Sequence, residues 1–248
     1  MKTFTTTPMQ NHTNVVSRAE WLIARKELLA REKEATRQRD ALSAERRKLP
    51  AVEIDKAYHF DGPNGAISLR DLFGQNEQLI TYHFMFDPSW EEGCKSCSHW
   101  IDCVTGSLPH LAARNTAFVA ISRAPFEKID AFKRRMGWTF PWLSSANNDF
   151  NYDFHVTLDG DLGSVEYNYA SSSELFNAGK IWFAKGELPG LSVFLRNEES
   201  VFHTYSSYQR GLDPLLNTYN LLDLTPLGRQ EEDGRIQNWI RHHDKYPT

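Results

Sequence analysis

The run Leu79–Phe86, LITYHFMF, is apolar on both of its faces, and it constrains the fold more than any other stretch of the chain. Such a strand must be covered from two sides, so it belongs at the centre of a sheet with other elements above and below. Thr116–Ser122, TAFVAIS, is a second run of the same kind. The residues between them read as helix, weakened by Gly106 and Pro109. Strand, helix, strand is the unit from which parallel sheets are built.

The flanking segments extend that order. Tyr58–Phe60 is a short strand candidate, followed by turn chemistry at Asp61–Gly65 and a short helical turn over Ser68–Phe73. Pro125 suits the first position of a helix whose apolar face is Phe126, Ile129, Phe132 and Met136, with Gly137 at its end. Phe154–Leu158, Leu191–Leu195 and Val201–Tyr205 read as strands, the last two separated by a hairpin-length loop, Arg196–Ser200. Asp213-Pro214 caps a helix expected to bury Leu215, Leu216, Tyr219 and Leu222. The order predicts an α/β fold: a thioredoxin-like mixed sheet flanked by helices, its first strands parallel and its late pair antiparallel.

Ahead of this domain lies a different kind of segment. Residues 1–13 are polar and expected to be loose. From Ser17, an N-cap residue, to about Lys48 the chain reads as one long helix without Gly or Pro. Trp21, Leu28, Ala35, Leu42 and Leu49 recur every seventh residue, widened by Leu22 and Leu29. So narrow a stripe on a helix of about 45 Å predicts that it lies across the domain or across a second subunit. The chain therefore divides into an N-terminal helical arm over 1–50, a thioredoxin-like domain over 51–225 and a tail over 226–248. The domain carries a polar, Gly-containing insertion at 159–187, and the tail a short helix around Ile236–Ile240.

The formal net charge of −4 gives no reason to expect nucleic acid as a partner. Within 18–48, ten Lys or Arg face six Asp or Glu, so that segment is basic and the rest acidic. A solvated charged helix packed by one edge is favoured over a nucleic-acid or membrane arm. The longest apolar stretch is too short to span a bilayer, and MKTFTTTPMQ has no apolar core that would serve as a secretory signal. A cytoplasmic location is expected, with no membrane partner.

The three cysteines fall at 94, 97 and 103, too few for a disulfide framework and too clustered to be incidental. In a reducing compartment such clustering points to redox chemistry or metal binding. The segment Asp87–Trp100, DPSWEEGCKSCSHW, follows the C-terminal end of the central strand, where open α/β sheets place their chemistry. A helix beginning near Cys94 sets that sulfur among unpaired N–H groups at the positive end of the dipole, which favours the thiolate. Lys95 adds a positive charge, and Glu91 and Glu92 oppose it, so a modest depression of the thiol pKa is expected. Cys97, one turn on, is placed to resolve a mixed disulfide held on Cys94. Cys103 is some 240° around the helix from Cys97 and reads as a small buried hydrophobe.

Two competing chemistries are weighed. Cys94, Cys97 and Cys103 with His99 or His110 supply enough ligands for a metal, but structural zinc sites use two close pairs, and there is no second pair here. No metal or other cofactor is expected. A peroxiredoxin-type site has a threonine three residues before the attacking cysteine, whereas Glu91 precedes Cys94 by three and Cys94 itself precedes Cys97 by three.

Around the pair, Trp90 reads equally as a lid over the cysteines or as a loop anchor. Arg123 follows the second buried strand directly and should emerge at the same sheet edge, to meet an anionic substrate, stabilise a thiolate or form a salt bridge. Pro189, with Pro141 as its rival, is the candidate for the cis-proline that thioredoxin-like sites set facing the cysteines; an ordinary turn proline is the plainer reading. His83 reads as a core histidine. The run Trp138, Phe140, Trp142, Phe150, Tyr152 and Phe154 reads mostly as core.

The chain also resembles a known family, the bacterial thioredoxin-like proteins of unknown function labelled predicted dithiol–disulfide oxidoreductases. The resemblance covers nearly the whole chain. It is carried by VSRAEWLIARKELLAREKEATRQRDAL, FDGPNGAISLRDLF, LITYHFMF, the Cys94–Cys97 segment, LPHLAARNTAFVAISRAPFEKIDAFKRRMGW, FPWLSSANNDFNYDFHV, LPGLSVFLRNEESVFHTYSSYQRGLD and YNLLDLTPLGRQEE. It implies a thioredoxin-like fold of the peroxiredoxin-related branch with Cys94 and Cys97 as the redox pair. The sequence departs from that family at Lys95, where proline often follows the first cysteine.

Three functions remain in play. The first is a dithiol–disulfide oxidoreductase acting on a disulfide-containing protein or a small thiol. The second is a thiol-dependent peroxidase without the threonine. The third is a non-catalytic thioredoxin-like scaffold whose long N-terminal helix organises a homodimer or binds a partner.

Overall fold

The computed structural model describes residues 14–161, 165–180, 185–232 and 234–247; residues 1–13, expected to be loose, lie outside the described residues. The chain separates into two compact units, residues 1–49 with 221–230 and residues 50–220 with 231–248. In the first unit, helix α1 (Arg18–Arg46) starts at a capping box: Ser17 Oγ accepts from the Glu20 N–H, and the Glu20 carboxylate accepts from the Ser17 N–H. None of its side chains is buried.

The second unit holds the sheet. It opens with β1 (Val52–Glu53), β2 (His59–Gly62) and β3 (Gly65–Ser68), then the central strand β4 (Gln78–His83). Helices α2 (Lys95–Val104) and α3 (Leu108–Ala112) lead to β5 (Thr116–Ser122), α4 (Phe126–Arg135) and β6 (Trp142–Ser144). A smaller annex follows: α5 (Phe150–Asp153), β7 (Thr157–Asp159), β8 (Glu166–Tyr167), β9 (Ala170–Ser171), α6 (Ser172–Asn177) and β10 (Lys185–Glu187). The hairpin β11 (Gly190–Arg196) and β12 (Val201–Tyr208) and the first four residues of the short α7 (Asn217–Leu222) complete it.

The main sheet runs β1-β12-β11-β4-β5-β6-β2-β3. Strand β4 pairs parallel with β5, from Gln78 opposite Thr116 to His83 opposite Ile121, and antiparallel with β11 on its other edge. A β-α-β crossover whose first strand is then flanked by an antiparallel hairpin is the thioredoxin arrangement, and the fold is thioredoxin-like with a long N-terminal helix. The apolar faces of β4 explain its place. Tyr82 and Phe84 pack on one side with Cys97, Trp100, Ile129 and Phe132 of α2 and α4. Leu79 packs on the other with Phe60, Phe73, Phe150, Phe154 and Phe194. Trp138, Phe140 and Trp142 join the first cluster, so most of the aromatic run is core, as read. His83 is a buried core histidine, its Nε2 2.8 Å from Ser192 Oγ.

Several local expectations need correcting. The strand expected over Phe154–Leu158 begins only at Thr157. Asn148 Oδ1 accepts from the Phe150 N–H and starts a turn of helix, which His155 closes with φ +54. No helix forms around Ile236–Ile240, because Gln237 takes φ +62, a left-handed conformation that breaks helical repeat. Leu215, expected inside, is exposed: it ends a 3₁₀ helix (Gln209–Leu215), whose side-chain period differs from that of an α-helix. Within the segment read as an insertion, Val165, Tyr167 and Leu175 cluster with Val156, Leu158 and Tyr208. Among the described residues, no helix is long and apolar enough to cross a membrane.

Candidate functional site

The site is built where β4 runs out. Past His83 the chain stays beside β5: the Phe84 N–H donates to the Ile121 carbonyl, and the Phe86 carbonyl accepts from Ala124. Asp87 then folds the loop, accepting from the Ser89 N–H through its carboxylate and from the Trp90 N–H through its carbonyl. Gly93 brings the chain back under Phe84 and Phe132. A Cβ there would lie 2.7 Å from one ring and 2.9 Å from the other, so the close approach excludes every other residue type without a shift.

Cys94 is the N-cap of α2, with φ −56 and ψ 129, as the spacing predicted. Its carbonyl accepts from both the N–H and the hydroxyl of Ser98, at 2.9 Å each. One peptide group serves both cysteines. The Met85 carbonyl accepts from the Cys94 N–H at 3.1 Å, and the Met85 N–H donates to Cys97 Sγ at 3.5 Å.

The two sulfurs differ in environment. Cys94 is partly exposed and Cys97 buried. A hydrogen bond from the Cys97 thiol is the main reason that Cys94 falls to about 7; the N–H groups of Cys97 and Ser96 add to it, against the cost of burial. Cys97 moves the other way, well above the ordinary thiol range, first through burial and then through the neighbouring Cys94 sulfur. The Tyr82 hydroxyl and the Met85 N–H partly relieve that rise. Of the two acidic residues expected to oppose the thiolate, Glu92 is neutralised by Arg135 and Lys245, both at 2.6 Å. Glu91 points to solvent, 4.0 Å from Lys128.

A cavity of about 70 Å³ lies beside Cys97, lined among others by Tyr82, Met85, Trp100, Pro189, Gln209 and Gln237. Tyr82 stacks on Trp100 with ring centroids 4.0 Å apart, which fixes its ring. Gln209 and Gln237 both take positive φ, +48 and +62. Two non-glycine residues held in that region beside one thiol mark a place where the surroundings over-determine the backbone.

The sequence-derived surround is placed unevenly. Pro189 does reach the cavity beside Cys97, but its peptide bond is trans, since no cis peptide occurs among the described residues. Its position comes from the chain on either side: Leu188 donates to the Val156 carbonyl at 2.7 Å, and Tyr167 donates to the Pro189 carbonyl at 3.1 Å. Lys95 is the exposed first residue of α2. Trp90 is half-buried against the core, its carbonyl accepting from Lys128 Nζ at 2.8 Å, and it does not line the cavity; loop anchor is the better description.

Arg123 forms a salt bridge of 3.1 Å with Glu187 and lies over the Tyr152 ring at 5.0 Å. Glu187 was not singled out from sequence. Its carboxyl is buried, and burial lifts its pKa to about 7 although Thr157 and Arg123 both bond to it.

Other participants also escaped the sequence reading. Tyr82 was detectable, because strand alternation puts it on the face of Phe84, toward α2. His242 and Gln237 come from far along the chain, and nothing local announced them. His242 Nε2 donates to the Gly93 carbonyl at 2.8 Å, while its Nδ1 accepts from Arg135 at 3.0 Å. Among the described residues, no three His, Cys, Asp or Glu side chains converge as metal ligands would.

A family model described as "Bacterial protein of unknown function (DUF899)" matches residues 9–246. No curated protein matches the chain. Among solved structures, the chain is similar to a PrxQ mutant of Xylella fastidiosa at 14% identity and a TM-score of 0.44, over 69% of this chain and 94% of that one. It is similar to peroxidoxin BcpB from Mycobacterium tuberculosis at 13% identity and 0.43, over 70% and 97%. It is also similar to AhpC of Enterococcus faecalis at 13% and 0.44, over 70% and 93%. The chain belongs to the bacterial family of unknown function DUF899.

Proposed function

We propose that this family member is a dithiol–disulfide oxidoreductase in which Cys94 attacks and Cys97 resolves. The observation that carries the reading is the unequal setting of the two thiols. Cys94 is partly exposed at the N-cap of α2, which goes with a pKa lowered to about 7, and Cys97 is buried behind it, which goes with a raised one. A thiolate near neutrality attacks well, because it is populated without being a feeble nucleophile.

In the forward step the Cys94 thiolate attacks one sulfur of a substrate disulfide. A Cys94–substrate disulfide forms, the substrate S–S bond breaks, and the leaving thiolate takes a proton from solvent. Cys94 is then neutral, so the charge that held the Cys97 proton is gone. Cys97 gives up its proton to solvent, and its thiolate, met by the Tyr82 hydroxyl and the Met85 N–H, attacks Cys94 Sγ. The Cys94–substrate bond breaks, and the second substrate thiolate leaves, taking a proton from solvent. One substrate disulfide is reduced to two thiols while Cys94 and Cys97 become a disulfide. A dithiol reductant returns the pair to its starting state, and the reading sets the protein in the cytoplasm, where such reductants are kept.

The test is disulfide reduction and peroxide consumption measured side by side on wild type, Cys94→Ser and Cys97→Ser. The expected result is disulfide turnover abolished by Cys94→Ser, with a substrate adduct trapped on Cys94 in Cys97→Ser. Peroxide turnover without disulfide turnover would overturn the reading in favour of a peroxidase, and neither turnover in favour of a scaffold.

A further inference from the structure

Helix α2 carries a third cysteine at its far end, and its surroundings are not those of an inert core thiol. Cys103 is partly exposed, and its Sγ lies 3.4 Å from Thr218 Oγ1 on α7. Asn217 Nδ2 donates to the Cys103 carbonyl at 2.9 Å, so α7 is fixed against this turn. Cys103 is six residues from Cys97 and faces a different side of α2, away from the cavity beside Cys97.

One turn before Cys103 on the same face stands His99. It is 7% exposed, and neither ring nitrogen makes a well-aligned hydrogen bond among the described residues, although the ring lies close enough to Cys103 to act on its thiol. Burying an imidazole in that state is costly unless it has work to do. Its ring is packed by Tyr219 at 5.7 Å and Trp239 at 6.1 Å, which leaves it little freedom to turn away. Burial raises the Cys103 thiol, and carbonyls at the C-terminal end of α2 work in the same direction. The His99 side chain and the Thr218 hydroxyl outweigh the burial and leave the thiol below its ordinary value.

We propose that Cys103 is a second reactive thiol, with His99 as its base, and that small disulfides are the class of compound that modify it. The Cys103 proton passes to a ring nitrogen of His99, and the sulfur attacks one sulfur of the disulfide RS–SR. A Cys103–S–SR bond forms, the RS–SR bond breaks, and the departing RS⁻ takes the proton from His99 and leaves as RSH. One thiol is consumed and one released, so no further oxidant is needed. The adduct on Cys103 parts it from Thr218. This site is independent of exchange at Cys94 and Cys97.

The experiment uses the full chain carrying Cys94→Ser and Cys97→Ser, in which Cys103 is the one cysteine left of three. Dithiobis-nitrobenzoate is added at neutral pH to the folded chain and to the same chain unfolded in guanidinium. We expect one equivalent of thionitrobenzoate, an adduct mapped to Cys103, and a rate in the folded chain about tenfold above that of the unfolded one. His99→Gln brings the folded rate down to the unfolded value, and Thr218→Val lowers it severalfold. A folded rate at or below the unfolded rate overturns the proposal, as does a folded His99→Gln chain that reacts as fast as its parent. The folded-to-unfolded comparison needs no substitution at His99, so a His99→Gln chain that does not fold leaves the test decisive.

Discussion

His242 donates through Nε2 to the carbonyl of Gly93 at 2.8 Å, gripping the residue immediately before the proposed nucleophile. Arg135 completes the clamp, bonding at once to His242, Glu92 and Asp244. The loop that presents Cys94 is thus held from a segment remote in sequence. Replacing His242 by Ala removes a buried hydrogen bond worth about 1 kcal/mol and leaves the Gly93 carbonyl unpaired. Amide hydrogen exchange over residues 90–97 should quicken while exchange in β4 and β5 is unchanged. Equal protection of the loop in both chains would discard the clamp.

The split between the thiols predicts a titration. Alkylation of Cys94 by iodoacetamide should rise with pH through a midpoint of about 7. In Cys97→Ala the chief hydrogen bond to that sulfur is lost, and the midpoint should move up toward an ordinary thiol. A midpoint that stays put in the variant would mean that the helix N-terminus alone sets it.

Tyr82→Phe separates attack from resolution. The hydroxyl meets Cys97 rather than Cys94, so formation of the mixed disulfide should keep its rate while its resolution slows about tenfold, the scale of a hydrogen bond to a charged group. Rapid mixing with a chromogenic disulfide reads the two phases. Loss of the first phase instead would place the hydroxyl's role with the attacking sulfur.

Gly93→Ala should destabilise the fold by about 1–3 kcal/mol, because the new methyl meets the rings of Phe84 and Phe132. Its φ is not in the left-handed region, so the penalty is steric. Phe132→Leu in the same chain opens room and should recover part of the loss in a denaturant melt.

Glu187 supplies a pH dependence of known sign. Its folded pKa of about 7 lies above the ordinary value of 4.5, so between those limits the folded chain holds a proton that the unfolded chain has released. Stability therefore falls as pH rises from about 4.5 to 7, and is flat above. Glu187→Gln should flatten that slope in denaturant melts at stepped pH. His83, pulled down to about 3 by burial, has the opposite sign, its contribution being lost as pH falls below 6.5. Both residues must be followed to assign the profile.

Legibility from sequence tracked how local the cause was. The strands around Leu79–Phe86 and Thr116–Ser122 follow from apolar runs, and the N-cap position of Cys94 follows from where the strand must end. Pro189 was found because it precedes a strand, but its trans peptide depends on Val156 and Tyr167, which are remote in sequence. The helix expected at Ile236–Ile240 failed for a nearer cause. Glu231 accepts from the Gln237 N–H at 2.7 Å, and Gln237 then turns left-handed. Glu187 carried no signal at all, since a lone acid in a polar segment looks the same whether it is solvated or buried.

The clamp on Gly93 also bears on the order in which the protein is made. Gly93 leaves the ribosome 149 residues before His242 does. During that interval both thiols have been translated while the residue that steadies their loop is still to come. A nascent chain therefore carries its dithiol before the dithiol is tuned, and an oxidant met at that stage meets a looser pair than the finished protein presents. A reducing milieu would keep the proposed pair as thiols until its last hydrogen bond is in place.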